Sequence, residues 1–207
     1  MRAGTESTLP AWAARATEEL HASDRQAIEI ARDLTVEQLN RSPAPGSWSV
    51  GQCLEHLFIS NEVYLPPMTR ALDASTSSAQ ARLSPSPVDE ITPGWFARYF
   101  IRTYIDPATQ RARAKAPGKL RPAHDVAPDI LDKFLRSNDV ARDLVNRASV
   151  YDVNRIRFKN PFVAGIRFTV GTGVEIIWRH QRRHLLQAER ARAWVLKERH
   201  LSLDMKE

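Results

Sequence analysis

Apolar positions recur at helical intervals in four long stretches of the chain, and the punctuation between them predicts a mostly helical protein. In the first stretch, residues 10–34, Ala13, Ala16, Leu20, Ala27, Ala31 and Leu34 share one face, and Pro10 suits a first helical turn. A short helix at Thr35–Asn40 follows, because Thr35 and Gln38 have capping-box spacing; Arg41 to Gly46, with two prolines, then reads as a loop. The second long helix starts at Ser49, with Gln52 as its capping partner and Trp48 placed to staple onto Cys53. Pro66 and Pro67 predict a break or kink after Leu65, with residues 68–73 continuing at a changed angle.

The third helix, Asp129–Ala148, turns Leu131, Phe134, Leu135, Ala141, Leu144, Val145 and Ala148 inward. The fourth opens at Thr172, with Glu175 as its capping-box partner, and runs to about Arg199. Its inward stripe is Val174, Ile177, His184, Ala188, Ala191 and Val195. Ser149–Gly171 between these two is irregular or briefly extended, with Asn160-Pro161 and Gly171 as breakers. Residues 74–93 are rich in Ser, Thr and Pro and read as an exposed connection. Further along it, Phe96, Tyr99, Phe100 and Tyr104 stand at i, i+3, i+4 and i+8, so Trp95–Tyr104 predicts a short amphipathic helix. Such a helix either closes over a site as a lid or, the reading preferred here, clasps one end of the core. The expected fold class is all-α: an antiparallel four-helix bundle in one domain, 1–207, with a long irregular connection at 74–127 between helices two and three.

A chain of 207 residues is long enough to bury a sizeable core. No charge-free stretch approaches the roughly 20 residues of a membrane span, and Met1–Asp24 lacks the pattern of a signal peptide, so a soluble, unexported protein is expected. Cys53 is the only cysteine, which rules out an intramolecular disulfide and a multi-cysteine zinc site; the expected compartment is the cytoplasm. The net charge of +6 is concentrated, with Arg98, Arg102, Arg111, Arg113, Lys115, Lys119 and Arg121 set against Asp106 alone. The stretch reads as a solvated connection, and no helix-turn-helix or RNA-binding signature makes nucleic acid an expected partner.

The candidate chemistry lies in His180-Gln-Arg-Arg-His184, where two imidazoles at i and i+4 project from the same face of the fourth helix. Gln181 stands where the zincin motif H-E-x-x-H has its glutamate, so that motif is absent. His56 lies on the inward side of the second helix, with Cys53 and Ser60 on the same face. Neutral imidazole is a good ligand for Zn, Ni, Fe and Cu, and three histidines with an open position suit a catalytic site. His21 and His200 read as surface residues. Gln187, one turn after His184, and Gln52, one turn before His56, are candidates to orient a ligand or bound water. Arg183 is placed either to meet a substrate carboxylate or to form a solvent salt bridge. Cys53 is read as a small buried apolar residue rather than a fourth ligand.

Two segments carry a family resemblance: Ser47-Trp-Ser-Val-Gly-Gln-Cys-Leu-Glu-His56, and His180-Gln-Arg-Arg-His184-Leu-Leu-Gln187-Ala-Glu. Together they resemble the DinB-like/YfiT-like four-helix-bundle superfamily, from about residue 12 to residue 196. The resemblance implies a divalent metal, commonly Zn or Ni, on His56, His180 and His184. It further implies metal-dependent transfer of a low-molecular-weight thiol to a small electrophile, with hydrolases or lyases among the relatives, and a homodimer. The contrasting expectation is a bundle without catalysis, which binds metal or serves in a stress response.

Overall fold

The computed structural model describes residues 9–77, 87–108, 116–163 and 165–204. Within them the protein is mostly helical, with a single small hairpin. Arg111, Arg113 and Lys115 of the basic stretch, residues 78–86 of the Ser/Thr/Pro connection, and the side chain of His200 lie outside the described residues.

Helix α1 spans Ala11–Ala31 with Pro10 at its N-cap. It stops short of the expected Leu34 because Arg32 leaves the helical region at ψ 131°, followed by Asp33 at a left-handed φ of 62°. Helix α2, Val36–Asn40, has the complete Thr35/Gln38 capping box. Helix α3, Val50–Ser77, opens on a second reciprocal box, Gln52 N–H to Ser49 Oγ and Ser49 N–H to Gln52 Oε1, both 3.1 Å.

The expected break at Pro66-Pro67 does not occur; α3 runs through both prolines and takes in Ala74–Ser77 of the expected connection. The cost of two missing N–H donors is offset by burial, since Tyr64, Leu65, Met68 and Leu72 flank them in the core while Pro66 and Glu62 face solvent.

Helix α4, Trp95–Phe100, continues into a π-helical turn at Ile101–Ile105, closed by Asp106 N–H to Ile101 O at 2.9 Å. The expected amphipathic helix is present, but its inward face is aliphatic: Ala97, Ile101 and Ile105 are buried, whereas Trp95 is 76% and Tyr99 56% exposed. Phe96 and Phe100 pack towards Phe168, with centroids at 6.4 and 6.2 Å.

Helix α5, Ile130–Ala148, occupies the expected stretch, with Asp129 at its N-cap position making no side-chain capping bond. Strands β1, Arg157–Lys159, and β2, Arg167–Thr169, pair antiparallel within the stretch expected to be briefly extended. Helix α6, Val170–Asp204, starts two residues before the expected cap: Thr169 Oγ1 accepts from Thr172 N–H at 3.2 Å, and Glu175 pairs with Arg179 rather than closing a capping box. Gly171 is therefore inside the helix. At Gly173 α6 comes close against α3 and the hairpin, because a Cβ there would lie 2.6 Å from Met68 Sδ and 3.0 Å from Phe158. Helix α3 packs on α5 and α6, and α1 packs on the same two.

Two apolar clusters fill the interior, one containing Trp12, Leu20, Leu65, Met68, Leu144 and Trp178, the other Ala27, Ile30, Leu54, Leu57, Phe134 and Leu185. Chain order through them fixes the helix directions: α1 and α6 pass from the first cluster to the second, α3 and α5 from the second to the first. The expected all-antiparallel arrangement is thus corrected. Pairs α1/α5 and α3/α6 run in opposite senses, while α3 and α5 run in the same sense, which the long connection between them permits.

Between the clusters lies a polar layer to which all four helices contribute. Asn61 donates to Ser137 Oγ (2.8 Å) and Asn138 Oδ1 (3.0 Å), and Gln181 donates to Asn138 Oδ1 (2.7 Å). Asn138 in turn donates to Asp24 at 2.6 Å, and Arg142 pairs with the same carboxylate at 2.6 Å. Asn61, Asn138 and Gln181 are each essentially fully buried, so every bond they make replaces one that water cannot supply. No helix of the described residues is long and apolar enough to cross a membrane.

Because one buried amide serves three partners, Asn138→Ala is expected to lower the unfolding free energy by about 2 kcal/mol or more, on the cost of stranding buried polar groups. Urea denaturation checks this; a loss below about 0.5 kcal/mol would contradict the role given to the layer.

Candidate metal centre

The capping box at Ser49 sets the phase of α3 and places His56 two turns in, facing α6. There the opposed run of α6 brings His180 and His184 against it. Ring centroids lie 4.9 Å apart for His56 and His180, 4.5 Å for His56 and His184, and 4.6 Å for His180 and His184. One ring nitrogen from each of the three lies within 4.8 Å of the other two. The structure therefore brings together the three histidines singled out in the sequence. His21 and His124 are exposed on the surface, away from the cluster.

Hydrogen bonds set the orientation of two rings. A carbonyl can only accept, so the 2.7 Å contact between His56 Nδ1 and Leu120 O places the proton on Nδ1 and leaves Nε2 bare. His184 Nδ1 faces Gln187 Oε1 at 3.1 Å, an arrangement that likewise turns a bare Nε2 to the cluster. Gln187 thus stands where the sequence placed it, beside a histidine. His56 Nε2 lies 3.2 Å from His180 Nε2. Two lone pairs at that distance repel, so either His180 donates a proton across the gap or a cation occupies it.

All three imidazoles are held neutral. Burial lowers His56 to about 4, against the raising effect of its bond to Leu120 and with the Arg183 cation adding to the depression. His180 and His184 lie well below the ordinary imidazole range, first through burial, then through the neighbouring histidines and Arg183. Neutral rings with bare, convergent nitrogens and N–H groups anchored outside are the donor set a divalent metal requires, so the cluster could hold such an ion.

Other expectations divide. Gln52 is occupied elsewhere: besides capping α3 it donates to Ala123 O at 3.0 Å, so it does not orient a group in the cluster. Cys53 is fully buried in the second apolar cluster, its thiol pushed far up by burial, and it is not among the clustered donors. Arg183 makes no salt bridge among the described residues; its guanidinium donates to the Tyr104 carbonyl at the end of the π turn. One turn earlier Arg179 bridges Glu175 and Asp106. These two arginines strap Trp95–Tyr104 onto α6, which favours the clasp over the lid.

Two contributors were not singled out for this site in the sequence. Trp48 lies against both His56, centroid 4.7 Å, and His184, 5.5 Å; its position before the Ser49 cap was a usable signal. The Leu120 carbonyl comes from the 3₁₀ turn Gly118–Leu120, and a backbone acceptor leaves no side-chain signature.

Fold and site together define a helical protein with a buried three-histidine cluster able to bind a divalent cation. A family model described as the DinB superfamily matches residues 19–188, and the chain belongs to that superfamily. No curated protein and no solved structure matches the chain.

The lowered values carry a sign that can be tested. In the unfolded chain these histidines take up protons near the ordinary value of 6.5, while the folded chain refuses them down to about 4 at His56. Between those values the unfolded state binds more protons, so stability falls as pH falls. The metal-free protein is expected to lose stability steadily from about pH 6.5 to about pH 4, and His56→Leu to flatten that slope, read from denaturation midpoints across the range. A pH-independent midpoint would contradict neutral burial.

Proposed function

We propose that the four long helices form the bundle of the DinB superfamily, and that the protein is a metal-dependent enzyme with His56, His180 and His184 as ligands of one divalent ion, Zn or Ni. The reaction preferred is transfer of a low-molecular-weight thiol to a small electrophile. The observation that carries this reading is the convergence of three neutral imidazoles, two of which have acceptors for their outward N–H groups in Leu120 O and Gln187 Oε1. A bound divalent ion supplies acidity, lowering the pKa of a thiol or water at its open position so that a nucleophile exists near neutral pH.

The chain's own residues do the rest. Leu120 O and Gln187 hold two rings in the tautomer that presents Nε2 inward. Trp48 covers one side of the His56 and His184 rings and excludes water there, while His180 is the most solvent-accessible of the three. Ligand entry is thus assigned to the His180 side. In this reading the His180 proton would shift from Nε2 to Nδ1 when an ion binds, a change of tautomer that releases no proton, and loading would weaken only where falling pH protonates the rings. Among the described residues no carboxylate belongs to the cluster.

Elemental analysis of the purified, untagged protein tests the ligand set. About one divalent ion per chain is expected, lost in His56→Ala, His180→Ala and His184→Ala, with helical circular dichroism retained. Metal retained in full by any of the three would remove that residue from the set. A loaded protein that turns over no thiol with any electrophile in a broad screen would favour a binding bundle without catalysis.

A further inference from the structure

Charge around the three histidines is unbalanced, and the imbalance has a direction. Arg183 follows His180 by three residues and precedes His184 by one, so its guanidinium belongs to the same end of α6 as both rings. Among the described residues it is the only charged group, other than the histidines themselves, that lies close enough to disfavour the protonated form of all three imidazoles. Its side chain is half-buried and, among the described residues, forms no salt bridge. Two other partly buried arginines differ in this respect: Arg179 has Asp106 and Glu175, and Arg142 has Asp24 and Asp139. Among the described residues Arg183 has one partner, the neutral Tyr104 carbonyl, taken by Nη1. The remaining guanidinium donors are left for another acceptor.

A half-buried cation beside an uncharged cluster is an expensive placement unless something anionic completes it. Loading a divalent ion would make the same small volume more positive still, and among the described residues no carboxylate belongs to the cluster. The geometry points to an anion subsite at Arg183: the ligand that occupies the open side of the cluster carries a carboxylate, which Arg183 binds while the ligand's thiol or other donor faces His180. The inference rests on the metal-site reading above and gives it a substrate class, an anionic thiol or an anionic electrophile rather than a neutral one. Arginine suits this role because its planar fork pairs with two carboxylate oxygens at once, whereas lysine offers a point charge. The hold on Tyr104 O fixes the guanidinium plane in advance, so less freedom is lost when the carboxylate arrives.

Calorimetric titration of zinc-loaded protein with mercaptoacetate and with its methyl ester tests the subsite, the two probes sharing a thiol and differing in charge. Wild type is expected to bind the acid about tenfold more tightly or better, as a charge-assisted hydrogen-bonded pair would give. Arg183→Met should erase that preference while zinc content stays at the wild-type value, and Arg183→Lys should keep part of it. Asp106→Asn serves as the control for a merely structural role: it loosens the same strap through Arg179 but leaves Arg183 in place, so the preference should survive. Equal affinity for acid and ester in wild type, or a preference that persists in Arg183→Met or vanishes equally in Asp106→Asn, would overturn the subsite. The same titrations on metal-free protein separate the two readings. A chain that takes up no zinc yet keeps an Arg183-dependent preference for the acid loses the metal centre and keeps the subsite; a chain that loads zinc without any preference keeps the metal centre and loses the subsite.

Discussion

Keeping three imidazole rings uncharged inside a helical core is the constraint around which the surrounding structure is organised. A buried imidazole that protonated would meet two others within 4.9 Å and the Arg183 cation, with no carboxylate of the described residues in the cluster to compensate. Neutrality in turn demands an acceptor for each ring N–H, because an orphaned donor out of water costs about 1–3 kcal/mol. Leu120 O and Gln187 Oε1 meet that demand for two rings, and in meeting it they leave the bare nitrogens pointing at one another. The irregular turn at Gly118–Leu120, which contributes little to the apolar core beyond Leu120, has its clearest structural purpose in that single carbonyl.

The position of the rings depends on how the interior is divided. Apolar clusters on either side fix the helices laterally, and the amide layer between them fixes their register along the axis. Apolar contacts alone tolerate sliding; a set of hydrogen bonds joining Asn61, Asn138, Gln181 and Asp24 does not, since a shift of one residue would strand several buried groups together. Gln181 shows the coupling most directly: it lies between His180 and the layer, so the bond that fixes α5 against α6 also fixes the turn carrying the histidines. The close approach at Gly173 does the same at the other end of the α3/α6 contact.

Much of this was legible in the sequence, where local chemistry decides structure locally. Thr35 with Gln38 and Ser49 with Gln52 formed the expected boxes because a cap needs only residues three apart. The three histidines were found for a similar reason: i, i+4 spacing puts two on one face, and apolar periodicity says which face turns inward. What was not legible depended on partners distant in the chain. Pro66 and Pro67 stay helical because α3 is packed on α5 and α6, and Thr172 yields its capping role to Thr169 because the hairpin carries the chain into α6. The shared direction of α3 and α5 has no local signature, and neither does a backbone carbonyl sixty-four residues from the histidine it orients. Aromatic periodicity in Trp95–Tyr104 named the helix but not its buried face, since Ala97, Ile101 and Ile105 fit against α6 and the hairpin where larger rings are turned out.

The account's central claim is that these three nitrogens, and not Cys53, form the donor set for a single ion. X-ray absorption at the zinc edge of the loaded protein, free of added thiol, tests it most directly. The expected spectrum shows the multiple scattering of three imidazoles, nitrogen or oxygen neighbours at about 2.0–2.1 Å, and no sulfur neighbour near 2.3 Å. A sulfur shell, or zinc bound without imidazole scattering, would contradict the account.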